Sequence, residues 1–319
     1  MRRLPLAAEL RDTRPMVASV TRLLFVAWFV ILAALLACGV QYDWPTGVWI
    51  GLYALVLGHP TMLAVEFAVA RRIGRRANGE RVPIGSLARA WLGEWRMSTV
   101  VFGWRMPWRS NAWPDHLPRS ARGLRGVVFV HGYLCNRGIW NRWLERLTKL
   151  DRAFVAVTLE PVFGEIDGYA DTIERAVRRV EYVTGLAPIV VAHSMGGVAV
   201  RAWLRTREGR ATSHGHEHVA RVITIATPHR GTWLAGLALS ANARQMRTGS
   251  AWMAALGSAE APDRAAMFTS WWCECDQIVF PAPTSVLARS ESHQVRGVAH
   301  VALVDREEIW AELRRRIDS

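Results

Sequence analysis

The stretch APIVVAHSMGGVAVRAW, residues 187 to 203, restricts the fold of this chain more than any other part of it. The apolar run before His193 has the length and β-branched content of a strand buried on both faces. Helical periodicity starts immediately afterwards, in VAVRAWLRT. A strand that turns into a helix within so few residues forces the positions two before and two after Ser194 together, so bulk there would clash. Those positions are Ala192 and Gly196, with Gly197 behind them. The corner lifts one hydroxyl clear of the sheet edge and beside a helix N-terminus, where the dipole and free N–H groups favour negative charge.

The same alternation runs from about Arg119 to the C-terminus. GVVFV (126 to 130), AFVAVTL (153 to 159), APIVVA (187 to 192), RVITIAT (221 to 227), DQIVF (276 to 280) and HQVRGV (293 to 298) read as strands. GIWNRWLERLTKL and YADTIERAVRRVEYVTG read as helices. Short apolar runs separated by crossover helices predict an α/β fold with a mostly parallel sheet of about six strands flanked by helices. Roughly 200 residues suit one compact unit of that kind. Neither internal repeats nor low-complexity tracts are visible.

Upstream the pattern is different. From Leu23 to Ala70 there is no lysine or arginine, and the acids are Asp43 and Glu66. Two helices, about 23–40 and 47–70, are each long enough to cross ~30 Å of hydrocarbon, and QYDWPT between them reads as a turn with interfacial aromatics. The expectation is an N-terminal transmembrane hairpin. Arg2, Arg3, Arg11, Arg14 and Arg22 precede it and Arg71, Arg72, Arg75 and Arg76 follow it. Basic residues at both outer ends place the termini, and everything downstream, on the cytoplasmic side of a bacterial inner membrane. His59, Pro60 and Glu66 are costly in lipid unless paired or turned toward the other helix. A buried soluble hairpin is one competing reading. Export is another: LLAC ending at Cys38 is similar to a lipoprotein signal, although Glu9 and Asp12 fit a basic leader poorly.

Between the apolar segment and the α/β unit, Ile84, Leu87, Ala88, Trp91, Leu92 and Trp95 recur at helical spacing, with Arg89, Glu94 and Arg96 on other faces. Such a helix lies in the headgroup region or packs on the following domain, and MPWRSNAWPDHLP after it reads as a linker. The chain thus divides into an anchor at 1–80, a tryptophan-rich helix and linker at 81–118, and the α/β domain at 119–319. The formal net charge of +13 is nearly all arginine, with Lys149 the one lysine, and it is scattered. That is no nucleic-acid footprint; anionic lipid is the better partner. The four cysteines, at 38, 135, 273 and 275, have neither framework nor zinc spacing. Neither a disulfide nor a metal or organic cofactor is expected.

A serine hydroxyl is a weak nucleophile at neutral pH and needs a base within hydrogen-bond reach. A glycine-rich helix start that holds phosphate is the bland alternative, but GxGxxG and GxxxxGK[ST] spacings are missing. With FVHGYLCNRGIW at the end of the first run, AHSMGG, TPHRGT, and a late Asp and His in that order, the chain from Gly126 onward resembles the α/β-hydrolase family, of the small bacterial lipase and esterase type. Ala192 stands where that family commonly has glycine. The resemblance implies an oxyanion hole from the backbone N–H groups of Tyr133 and Met195, and makes His131 an organiser of its loop. Two fixed donors offset the charge that attack puts on an ester oxygen, and losing one typically costs on the order of a hundredfold in rate.

The family order Ser, acid, His selects the remaining members. His214, His216 and His218 fall in a polar loop; His229 shapes the site; His293 opens the last strand. His300 follows that strand and is the expected base. Asp276, in CECDQIVFP, is the expected acid, with Glu274 as runner-up; it would hold the imidazole in its productive tautomer. LALSANARQMRTGSAWMAALGSA, residues 237 to 259, reads either as an acyl-binding wall or lid or as core packing. The sequence therefore points to a membrane-anchored serine hydrolase acting on lipid or fatty-acyl esters through an acyl-enzyme. An acyltransferase or thioesterase with the same triad, and a non-catalytic membrane scaffold, are the alternatives.

Overall fold

In a computed structural model, residues 16–79, 81–208, 219–261 and 263–319 are described. His214, His216, His218, the arginines before Arg22, Glu9 and Asp12 lie outside them. The helices in chain order are α1 Met16–Gln41, α2 Pro45–Val56, α3 Gly58–Asn78, α4 Ile84–Val100, the single turn α5 Met106–Trp108, α6 Asn141–Lys149, α7 Ala170–Thr184, α8 Met195–Glu208, α9 Ala241–Gln245, α10 Ala251–Ser258 and α11 Glu307–Asp318. The strands are β1 Val127–Val130, β2 Phe154–Ala156, β3 Ile189–His193, β4 Arg221–Ile225, β5 Phe268–Trp272 and β6 Glu291–Gln294.

The six strands form one sheet in the order β2-β1-β3-β4-β5-β6, and every pair is parallel. Val128, Val130, Val155 and Val190 face a core completed by α7 and α8, where Ile173, Val177, Val198 and Trp203 are buried. Val127, Phe129, Phe154, Val191 and Ile223 face the opposite core, closed by Trp140, Trp143 and Leu144 near α6 and by Ile309 and Leu313 of α11. Strands covered on both faces need apolar side chains at every position, which is why they read as unbroken runs.

One of those runs is no strand. Asp276 to Phe280 is a buried loop: Asp276 Oδ1 accepts from the N–H groups of Ile278 at 2.8 Å and Val279 at 2.7 Å, so the side chain takes donors that a ladder would use. The ladder instead uses β5, whose aromatic and hydroxyl residues carry little apolar periodicity.

The segment expected as a single helix over 47–70 is broken at Leu57 into α2 and α3, inclined by 63°. Pro60 has no N–H for the Val56 carbonyl, and its ring would collide with it. Past the break, the chain turns toward α4: the Trp91 indole N–H donates to the Pro60 carbonyl at 3.0 Å, and Ser98 Oγ lies 3.3 Å from His59 Nε2. α1 remains one helix long and apolar enough to cross a membrane, with 11% of its most apolar window buried. It packs closely on α2, where a Cβ on Gly39 would come within 2.5 Å of Val48 Cγ2.

The expected linker is packed too. α4 runs through a π-turn, Val101–Arg105, into α5, with Met106 and Pro107 buried. Asn136 and Asn141 donate to the carbonyls of Met106 and Arg109, and the His116 backbone pairs with Phe154 at the β2 edge. Residues 106–118 thus form a strap along the domain.

Candidate active site

Ser194 sits between β3 and α8 with φ at +53°, a left-handed conformation that non-glycine residues seldom adopt. Close packing holds it there. A Cβ on Gly132 would approach Ser194 Cβ to 2.8 Å, one on Gly196 would meet the His131 and Val130 carbonyl oxygens at 2.5 and 2.6 Å, and one on Gly197 would collide with Thr227 Oγ1. Because the Gly196 contacts are backbone, Gly196→Ala is expected to spread the corner at a cost of about 1–3 kcal/mol in unfolding free energy. Slower serine labelling by a fluorophosphonate would accompany that loss.

His300 reaches the corner from the loop after β6, on α4's side of the domain. Its Nε2 lies 3.0 Å from Ser194 Oγ, and its Nδ1 lies 2.9 Å from Asp276 Oδ2 and 3.1 Å from Oδ1. All three residues are buried, with Ser194 7% exposed. Burial alone would lower the His300 pKa, but the charge and hydrogen bond of Asp276, with the carboxylates of Glu94 and Glu66 behind, outweigh it and raise the pKa above 6.5. In this arrangement Ser194 donates to Nε2 while Nδ1–H donates to Asp276.

The other candidates fall elsewhere. Glu274 accepts from Gly297 N–H at 2.9 Å rather than from His300. His293 pairs with Glu291 and stacks on Trp271. His229 is buried against Thr224 Oγ1 at 3.0 Å, and burial, reinforced by the nearby Arg201 charge, holds its pKa well below 6.5. His131 takes the organising place: Nε2 accepts from Leu159 N–H at 2.9 Å, Nδ1–H donates to the Gly132 carbonyl at 2.8 Å, and burial lowers its pKa to about 4. It therefore stays neutral and ties the β1 loop to the β2 loop.

Tyr133 lies in the loop after β1, its hydroxyl 3.1 Å from Ser240 Oγ. Met195 opens α8, so its N–H is one of the first-turn donors without an intrahelical acceptor. Within LALSANARQMRTGSAWMAALGSA, Ala243, Met246, Met253 and Leu256 are buried in the core, while Leu237 and Leu239 are exposed.

Three residues near the site have no role assigned from the sequence. His193 is buried with its ring 4.7 Å from that of His300, and burial keeps its pKa well below 6.5. Gln277 presents Oε1 to His300 N–H at 3.4 Å and Nε2 to Glu94 at 2.8 Å. Glu94, which the spacing sets on a face other than the apolar stripe, is 1% exposed on α4. The stripe of small residues does reveal it: Ala90, Glu94, Ser98 and Val101, all buried, recur at helical spacing.

A family model described as "Alpha/beta hydrolase family" matches residues 127–317, more than half of the chain. The chain belongs to this family. Among solved structures, the hydrolase is similar to the mature form of a lipase from Bacillus licheniformis, with 17% identity and a TM-score of 0.52 over 61% of this chain and 92% of that one. Aspergillus fumigatus lipase B matches with 17% identity and a TM-score of 0.50 over 64% of this chain and 55% of that one. At such identities the likeness concerns the fold. No curated protein matches the hydrolase.

Proposed function

We propose that the hydrolase is a membrane-anchored serine carboxylic-ester hydrolase that cleaves lipid or fatty-acyl esters. The reading is carried by the 3.0 Å contact between Ser194 Oγ and His300 Nε2, with Asp276 behind. His300 takes the serine proton as Oγ attacks the ester carbonyl, and the Tyr133 and Met195 N–H groups receive the oxyanion. The imidazolium then gives its proton to the leaving alkoxide, which departs as the alcohol and leaves an acyl-enzyme. Water, activated by the same imidazole, releases the carboxylic acid and restores the serine.

Preference for lipid rests on the surroundings of the serine. In a parallel sheet the loops at the C-terminal strand ends gather at one edge. There Leu134, Phe163, Trp233, Leu237 and Leu239 are all exposed, on loops after β1, β2 and β4. Beyond them α1 exposes Leu23, Leu24, Phe29, Val30 and Ile31, a surface fit for hydrocarbon. With α1 and the bent α2–α3 pair as two spans, and with Arg22 before the first and Arg71, Arg72, Arg75 and Arg76 after the second, both outer ends and the catalytic domain lie on the cytoplasmic side.

The test compares a long-chain acylglycerol embedded in vesicles with a short-chain ester in solution, following released acid. Faster turnover of the embedded ester is expected. Turnover confined to the soluble ester, or acyl chains found on an added alcohol instead of water, would overturn the lipid-hydrolase reading. Reporter fusions at the C-terminus should signal from the cytoplasm; a periplasmic signal would overturn the orientation.

A further inference from the structure

We propose that Glu94, on α4 and outside the segment shared with the family, is a positioning residue for hydrolysis at Ser194, fixing the turn that carries His300. This inference rests on the triad reading above. The carboxylate spans both sides of that turn. Its two oxygens each lie 3.0 Å from Val301 N, Oε2 accepts from Ala302 N at 2.9 Å, and Oε1 accepts from Gln277 Nε2 at 2.8 Å. Gln277 closes the circuit, since its Oε1 faces His300 N–H at 3.4 Å and it directly follows Asp276. One buried side chain thus ties the base, through its two following residues, to the segment that holds the acid.

Only an acceptor-only group satisfies three converging N–H donors, so the site fits the ionised carboxylate. Burial pushes the Glu94 pKa up, while the Ala302, Val301 and Gln277 hydrogen bonds oppose that shift. An uncompensated buried carboxylate is costly, so α4 and the turn hold each other in place. The rest of the turn is braced by neighbours: Arg105 pairs with Asp305 at 2.8 Å, and the Trp143 indole donates to the Val304 carbonyl at 3.0 Å. What Glu94 adds is a grip at the two residues next to the imidazole. Its charge also bears on the ring. The groups that face His300 are Asp276 from the loop after β5, Glu94 from α4, Glu66 from α3, and neutral His193 from β3. Glu94 itself faces Gln277, His300 and Glu66.

The experiment uses the full chain in detergent, with Glu94→Gln, Glu94→Asp and Ser194→Ala. Glutamine turns an NH2 toward a donor, loosening the turn and removing the charge. For Glu94→Gln we expect kcat to fall about 10- to 100-fold, the scale of a small misplacement of a reacting group. KM should stay nearly unchanged, and the acid limb of kcat/KM should move to lower pH because the imidazolium loses a stabilising charge. Glu94→Asp, which keeps the charge, should leave that limb in place and recover part of kcat. Folded Glu94→Gln with kcat within twofold of wild type, or with an unmoved acid limb, would overturn the proposal. If Glu94→Gln does not fold, Gln277→Met replaces it: lowered kcat at constant KM supports the proposal, and unchanged kcat overturns it. Ser194→Ala separates the two failures, because activity surviving in that variant sinks the triad reading itself.

Discussion

Replacing Ser194 by alanine is expected to reduce ester turnover on the order of 10⁶-fold, the loss seen when the nucleophile of a serine triad is removed. Alanine supplies no oxygen for the acyl-enzyme, and His300 then has no hydroxyl 3.0 Å from Nε2 to deprotonate. Binding should survive, since the exposed apolar edge of Leu134, Phe163 and Trp233 is untouched. Folding should survive as well, because the +53° backbone at this position is enforced by close contacts at Gly132, Gly196 and Gly197 rather than by the hydroxyl. Fluorophosphonate labelling of the wild type and none of the folded variant is the expected outcome. Labelling of Ser194→Ala, or turnover within tenfold of wild type, would exclude this serine as the nucleophile.

Asp276→Asn is expected to lower kcat by roughly 10⁴-fold, the scale found where an asparagine stabilises the wrong imidazole tautomer in such a triad. The amide would present a donor to Nδ1, so that Nε2 would carry the proton and could no longer accept one from Ser194. A second effect separates Asp276 from a merely structural acid. Catalysis needs neutral His300, so kcat/KM is present above the His300 pKa and is lost as pH falls through it. That pKa is raised in the wild type, where burial opposes but Asp276, with Glu94 and Glu66 behind it, outweighs burial, so the acid limb should lie above pH 6.5. Without the aspartate charge the limb should move to lower pH. A variant with kcat within tenfold of wild type would show that the carboxylate does not orient the base.

The N-terminal region is tied to the site through α4. The family match covers residues 127–317, yet the Glu94 carboxylate reaches Val301 and Ala302, and Phe67 and Ala90 pack with Cys275 and Ala299. Displacement of α3 and α4 would therefore act first on the loops holding Asp276 and His300.

Local chemistry written along the chain sufficed for much of this molecule. The strand-to-helix corner at Ser194 follows from neighbours in sequence, because only small residues at 192, 196 and 197 permit it. Strands β1, β3 and β4 were legible because burial on both faces demands continuous apolar residues. α1 was legible because a length of apolar chain without basic residues has a single periodicity to read. The tertiary structure alone decided what depends on partners far away in sequence. Asp276–Phe280 reads as a strand until its own aspartate claims the N–H groups of Ile278 and Val279, leaving β5 to take its place in the ladder. Glu94 reads only as a charge off the apolar stripe of α4, since helical spacing gives a face but not what covers that face. Its three donors come from residues 183 to 208 positions away, and only folding brings them within hydrogen-bonding distance.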